Sequence, residues 1–379
     1  MADFGPDGPF EEELAVLCRS LDDEAQLSPF GRVLASGMLQ SALEVQLRLQ
    51  DALRRGPAIL EQPVHAPLIV IGMPRTGTTI LHELLALDPA NRCPLSWEIA
   101  HPFASKPADP ERPDPRIAMT AREIRLSEYL MPGVQAMHRI GAELPQECVG
   151  ITAFAFGSMQ YNTIWHIPTY AHWLREKADH DRLYAFHRRF LQYLQAGRPG
   201  IRWALKSPAH LWQLPALMRT YPDARLVQTH RDPLSIISSL ASMLPVIRSA
   251  YSAKVDKAAL ALEWRDECVS ALDASMTARA SGVIPAGQVL DLQFREFMQD
   301  PAGAVGRLYD GFGYDFTPDF ARRIATYIAA NPAGGSKGHR HTFADTGLDG
   351  STARASVGNY QRYFGVAVDP GNPGLPTAL

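Results

Sequence analysis

The sequence predicts an α/β fold: a central parallel β-sheet flanked by helices, with an N-terminal helical segment and a helical, aromatic-rich insertion. Three observations carry this. Leu68-Ile69-Val70-Ile71 is a short, continuous apolar run rich in β-branched residues, as a strand buried on both faces requires. A glycine-bearing turn and a helical pattern at Leu81, Leu84 and Leu85 follow it, the opening of a parallel sheet. Three more short runs, at 201–205, 225–229 and 289–294, are separated by helical stretches.

The elements follow in chain order. Residues 14–21 and 33–53 read as amphipathic helices; in the second, Leu39, Leu43, Gln46, Leu47 and Leu53 fall mostly on helical spacing. They make up an N-terminal segment, 1–60, expected to pack as a helical pair. Pro57, Pro63 and Pro67 punctuate the linker to the first strand. The helix after the turn should stop near Leu87, because Asp88 precedes Pro89 and a pre-proline residue disfavours helical backbone. The α/β domain is expected over 61–365. Within it, 103–198 carries many aromatic residues and prolines and reads as an insertion rather than a second sheet. Pro370, Gly371, Pro373, Gly374 and Pro376 mark 366–379 as a flexible tail.

Composition narrows the function classes. The chain has 379 residues, 46% apolar and 20% charged, enough for a sizeable core and unlike a disordered chain. Its net charge of −3 argues against a surface built for nucleic acid, yet leaves room for a local basic pocket. Cys18, Cys93, Cys148 and Cys268 show no paired spacing, so neither a disulfide framework nor a zinc motif is read. The start is acidic at Glu11, Glu12 and Glu13, where a signal peptide would be basic, and no apolar run reaches the roughly 20 residues that span a bilayer. A soluble, cytoplasmic protein is expected.

The turn Gly72-Met73-Pro74-Arg75-Thr76-Gly77-Thr78-Thr79 joins the first strand to its helix. Two glycines five apart let the backbone wrap so that successive N–H groups converge on an anion at the helix N-terminus. The spacing is that of a nucleotide P-loop, but Thr78 stands where the Walker lysine would be and the cation sits earlier, at Arg75. Such a turn clamps a triphosphate poorly, whereas arginine forks onto a terminal oxyanion group. The competing reading is a plain strand-to-helix turn.

Two more strands end in a cation. Val227-Gln228-Thr229-His230-Arg231-Asp232-Pro233 closes one strand and opens a helix, with Asp232 as N-cap and Pro233 at the first helical position. Ser235, Ser238, Ser239 and Ser242 then line one helical face; a small-residue packing stripe is expected for three of them, while Ser239 with Arg231 would grip a phosphate. Trp203-Ala204-Leu205-Lys206-Ser207-Pro208-Ala209-His210 delivers the third cation, Lys206. A basic loop, Ser336-Lys337-Gly338-His339-Arg340-His341, is either exposed surface or a cover over the same anion.

Together these residues resemble the sulfotransferases that use 3′-phosphoadenosine 5′-phosphosulfate (PAPS), and are most similar to the bacterial branch related to the tyrosylprotein enzymes. The resemblance rests on Pro74–Thr79, on Leu205-Lys206-Ser207-Pro208, on Arg231 with Ser239 eight residues later and, more weakly, on Lys337–His341. It covers about 66–365. It implies a P-loop-type fold in which Arg75, Thr76, Gly77, Thr78 and Thr79 hold the 5′-phosphosulfate. Arg231 and Ser239 would hold the 3′-phosphate, Lys206 would lie at the bridging oxygen, and Lys337, His339 and Arg340 would close over the nucleotide, PAP being the product. The reaction would be an in-line displacement with a loose transition state, run on fixed cations without metal.

A base must take the acceptor's proton. Glu98, in Leu95-Ser96-Trp97-Glu98, lies where the tyrosylprotein enzymes place a catalytic glutamate, with Pro94 and Trp97 able to desolvate it. His210 follows Lys206 by four residues, but the cytosolic small-molecule sulfotransferases carry their histidine two residues after that lysine, where this chain has Pro208. Glu98 is therefore favoured. Phe154, Phe156, Tyr161, Trp165, Tyr170 and Trp173 are expected mainly in the core; any that line a pocket would suit an apolar small-molecule or lipid-like acceptor with one hydroxyl. Glu143 and Glu147 just before them either position that acceptor or cap a helix. The alternatives are a P-loop nucleotide kinase or NTPase, which Thr78 disfavours, and a nucleotide-binding protein without catalysis.

Overall fold

The structure is a computed structural model that describes residues 4–5, 10–104, 112–137, 139–197, 202–331 and 341–374. The chain divides into two compact units. One comprises Met1–His65, Arg92–Ile201 and Val246–Val255; the other comprises Ala66–Asn91, Arg202–Pro245 and Asp256–Leu379.

The second unit is built on the sheet. The strands of the sheet are β1 (Leu68–Ile71), β2 (Asn91–Arg92), β3 (Arg202–Lys206), β4 (Arg225–His230) and β5 (Val289–Gln293), in spatial order β2-β3-β1-β4-β5. β1 pairs in parallel with β3 (Val70 opposite Lys206) and with β4 (Ile71 opposite Gln228), and β4 with β5 (His230 opposite Gln293). All four residues of β1 are buried, as the continuous apolar run requires of a central parallel strand. β2 is an addition to the four strands read from the sequence; two polar residues at an edge leave no apolar pattern. Helices cover the sheet. One of them, Lys257–Ala280, is capped by the Asp256 carboxylate on the N–H groups of Ala258 and Ala259, and buries Leu260, Trp264, Cys268, Ala271, Leu272 and Ser275 along one face.

The tail differs from the expectation of a flexible segment. Val366 is buried, and Asp369 N–H and Asn372 Nδ2 both donate to Asp232 Oδ2 at 2.8 Å. Arg354 grips the same Asp232 through two hydrogen bonds of 2.6 and 3.0 Å, both side chains fully buried, and donates from Nε to the carbonyl of Pro373 at 2.8 Å. Glycine and proline here shape a fixed strap: Gly365 (φ 62°) and Gly371 (φ 84°) make the left-handed turns that let 366–374 fold back.

The first unit joins the N-terminal helices to the insertion. Pro29–Arg55 starts with Ser28 Oγ accepting from Gly31 N–H and Pro29 in the first turn, and buries Ala35, Ala42, Val45, Gln46, Leu49 and Leu53. Gln46 Nε2 donates to the carbonyl of Phe154, and Arg182 pairs with Glu13. The aromatic series is mainly core, as expected: Phe156, Tyr161, Trp165, Tyr170 and Trp173 are buried, Phe154 is half-buried, and Tyr161 stacks on Trp165 at 5.4 Å. Tyr170 satisfies its hydroxyl on the carbonyl of Phe156 at 2.8 Å. Glu143 is exposed, and Glu147 sits at the N-cap of Cys148–Ala153 without capping it by its side chain.

Candidate active site

The sheet order fixes where a ligand goes. From β1 the chain builds β2 and β3 on one side and β4 and β5 on the other, so β1 and β4 flank the point where the winding reverses. Parallel sheets bind ligands in the crevice beyond the strands' carboxyl ends at that point. The carboxyl ends of β3, β1 and β4 lead to Lys206, to the Arg75 turn and to Arg231.

The turn after β1 is tightly specified. Gly72 has φ 139°, and a Cβ there would lie 2.2 Å from Thr229 Oγ1, so only glycine fits beside β4. Gly77 (φ 88°) is the N-cap of the Thr78–Leu85 helix and offers its first turn no side-chain acceptor. Arg75 itself takes a left-handed backbone (φ 71°), costly for a non-glycine residue and typical of positions held for function. Thr76 turns inward: its Oγ1 donates to the carbonyl of Met73 and shares a hydrogen bond with Thr229 Oγ1, both at 2.6 Å. Its hydroxyl braces the loop.

Arg75 and Arg231 meet. Arg231 Nη1 donates to the main-chain carbonyl of Arg75 at 2.9 Å, and Arg75 Nε donates to Ser239 Oγ at 3.0 Å. Burial first, and then the neighbouring Arg231 charge, push the Arg75 guanidinium below its usual range. Two cations held so close favour an anion between them. Lys206 ends β3 only 3% exposed, with Nζ 3.4 Å from Thr79 Oγ1 in the first turn of the helix. His210, also buried, follows in the short Pro208–Trp212 helix, which Ser207 caps by accepting from Ala209 N–H.

The serine face of the Pro233–Ser249 helix is polar in its contacts, which corrects the packing role expected for most of it. Ser235 Oγ donates to Asp369 at 2.7 Å, Ser238 Oγ and His341 Nδ1 share a 2.7 Å hydrogen bond, and Ser239 accepts from Arg75. A cavity of about 360 Å³ opens beside them, lined by Arg231, Ser235, Ser238, Phe294, His341 and Asp369. Lys337, His339 and Arg340 lie outside the described residues; His341, where the basic loop ends, reaches this cavity. Sequence reasoning missed Arg295, whose Nε donates to Asp369 Oδ1 at 3.1 Å, and Asp369 itself. Their only signal was an arginine just past the end of a strand; nothing in the tail pointed back to the site.

Glu98 belongs to the first unit. It is buried in the Ser96–Ala100 helix, with Oε1 accepting from Arg92 Nη2 and Oε2 from Leu95 N–H, both at 3.0 Å. The neighbouring Trp97 ring carries the Arg116 guanidinium at 4.5 Å. The carboxylate is thus oriented on both oxygens and retains lone pairs for a further donor.

Comparison with known proteins places this geometry. Residues 67–318 match the sulfotransferase family. The ω-hydroxy-β-dihydromenaquinone-9 sulfotransferase Stf3 of Mycobacterium bovis, and that of Mycobacterium tuberculosis, are each 22% identical over 303 residues, 77% of this chain and 73% of theirs. Among solved structures, sulfotransferase STF1 of M. tuberculosis superposes with a TM-score of 0.81 at 29% identity, covering 94% of this chain and 93% of that one. STF9 of Mycobacterium avium gives 0.84 at 28%, covering 95% and 92%. The match spans the Arg75 turn, Lys206 and Arg231 alike, and the chain belongs to the sulfotransferase family.

Proposed function

We propose that this sulfotransferase uses PAPS as donor and a lipid-like or small apolar alcohol as acceptor. The observation that carries the reading is the meeting of cations at the ends of adjacent strands: Arg231 on the Arg75 main chain beyond β4 and β1, and Lys206 on Thr79 beyond β3. The donor set suits a doubly phosphorylated nucleotide, because burial and then the Arg231 charge disfavour the charge on Arg75, and Arg231 already binds a carboxylate, that of Asp369. The turn's closeness to β4 leaves room for backbone N–H donors rather than side chains.

The donor, when bound, supplies an activated sulfuryl group on a phosphate leaving group. The N–H groups of Gly77, Thr78 and Thr79, with Arg75, hold the 5′ end; Arg231 and Ser239 hold the 3′-phosphate. The Lys206 ammonium faces the charge that develops on the leaving oxygen, and being fixed on a central strand it needs no reorganisation to do so. The acceptor's proton goes to Glu98 or His210, whose separate replacement by Gln and Ala assigns the base. A lipid-like acceptor with a hydroxyl is favoured by the similarity to the Stf3 relatives, which are ω-hydroxy-β-dihydromenaquinone-9 sulfotransferases. Among the described residues no helix is long and apolar enough to cross a membrane.

Calorimetric titration with adenosine 3′,5′-bisphosphate and with 5′-AMP, in chelator, tests the reading. The bisphosphate should bind at least about tenfold tighter, and Arg231→Met should erase the difference. Equal binding by the unaltered protein would overturn it.

A further inference from the structure

The C-terminal strap places a carboxylate in the anion site. Asp369 Oδ2 accepts from Arg231 Nε at 3.1 Å and from Ser235 Oγ at 2.7 Å, while Oδ1 accepts from Arg295 Nε at 3.1 Å. Arg295 also donates to the carbonyl of Val368. Three donors, two of them cations, surround one acid, the coordination expected of a bound phosphate oxygen pair. The acid faces the 360 Å³ cavity, whose wall it forms with Arg231, Ser235 and Phe294. The Arg231 guanidinium lies 4.3 Å over the Phe294 ring, which fixes its plane toward the same spot.

This contact is not a stray surface pair. The backbone on either side of Asp369 is anchored in the interior: its own N–H and the Asn372 amide donate to Asp232, Asn372 Nδ2 also donates to Ser235 Oγ at 2.9 Å, and Arg354 holds both Asp232 and the Pro373 carbonyl. The arginines around Asp369 offset much of the cost of burying its charge. The carboxylate does oppose any second anion that needs the same donors.

We propose that Asp369 is a built-in counter-anion that occupies the 3′-phosphate subsite and competes with the nucleotide's 3′-phosphate for Arg231, Ser235 and Arg295. The inference rests on the reading of Arg231 given above and deepens it. Binding of the bisphosphate breaks the Asp369 contacts and frees the side chain, while the anchored main chain at Asp232 stays in place. The site is thereby neutralised when no donor is bound, and product with its 3′-phosphate leaves against a carboxylate ready to take its place. A nucleotide without the 3′-phosphate has nothing with which to displace Asp369 and gains nothing from its removal.

The test is titration of the full-length protein and of Asp369→Asn with adenosine 3′,5′-bisphosphate and with 5′-AMP. Asparagine keeps the side-chain shape and the Asp369 N–H bond to Asp232, while it removes the charge and turns one of the two acceptor oxygens into an NH2 donor. The bisphosphate should bind Asp369→Asn about tenfold or more tightly than it binds the unaltered protein, with 5′-AMP unchanged. Asp369→Ala, which also removes the acceptor, should move in the same direction, and a single cooperative melting transition of each variant without ligand would show both variants folded. If the unaltered protein prefers the bisphosphate but the variants bind it equally well or more weakly, Asp369 merely orients Arg231 and the inference fails alone. If the unaltered protein shows no preference, the Arg231 assignment fails and takes the inference with it.

Discussion

Lys206→Met isolates the charge that the account places at the reacting centre. Methionine keeps most of the stem that β3 buries, and volume-conserving core swaps cost less than about 1.5 kcal/mol, so the sheet should survive. What is lost is one ammonium, 3% exposed and fixed on a strand between β1 and the edge. A preorganised donor aimed at developing charge is worth about 10²–10³ in kcat, or about 2.7–4 kcal/mol. Because that charge grows only as the leaving group departs, ground-state binding should suffer less, with the bisphosphate Kd rising by under about tenfold. The assay pairs steady-state release of the bisphosphate from PAPS with calorimetric binding of the same nucleotide. A kcat reduced less than about tenfold, or a Kd that rises as much as kcat falls, would refute the reasoning, since either assigns Lys206 to uniform binding.

Two predictions concern stability. Arg354→Met leaves Asp232 buried with its ion-pair partner gone, so urea unfolding should show a loss of about 3–5 kcal/mol and release of the strap; a loss below about 1 kcal/mol would contradict the anchoring role. His187, fully buried against Tyr184 in the first unit, is pushed down to about 3 by burial and stays neutral when folded. Its unfolded form takes a proton below about pH 6.5, so its share of stability is complete above that pH and falls by up to about 1.4 kcal/mol per pH unit beneath it. His187→Gln should flatten this acid limb in unfolding measured from pH 7 to 4, and an unchanged slope would assign the limb elsewhere.

Much of the fold was legible because its signals are local. Leu68–Ile71 is a buried central strand because every residue in it is apolar, and Gly72 beside it is there because Thr229 leaves no space for a Cβ. The strand-end cations could be read as a set because a parallel sheet sends all carboxyl ends to one edge. What was not legible depends on contacts distant in sequence. Asp369 meets Arg231 across 138 residues, from a segment whose prolines and glycines read as fraying. Ser235 and Ser238 look like packing residues until Asp369 and His341 are placed against them. The pairing of the N-terminal helices with the insertion rests on such contacts as Gln46 to Phe154, which no periodicity announces.

The central claim is that Arg75, Lys206 and Arg231 serve one sulfuryl transfer from PAPS. Incubating the protein with PAPS and a membrane-lipid extract in the presence of chelator, and following the extract by mass spectrometry, measures it directly. The account predicts a hydroxyl-bearing lipid that gains one sulfuryl group with matching release of the bisphosphate, and no such product from Lys206→Met. Sulfated product formed equally by the Lys206→Met variant, or nucleotide turnover only from ATP with magnesium, would contradict it.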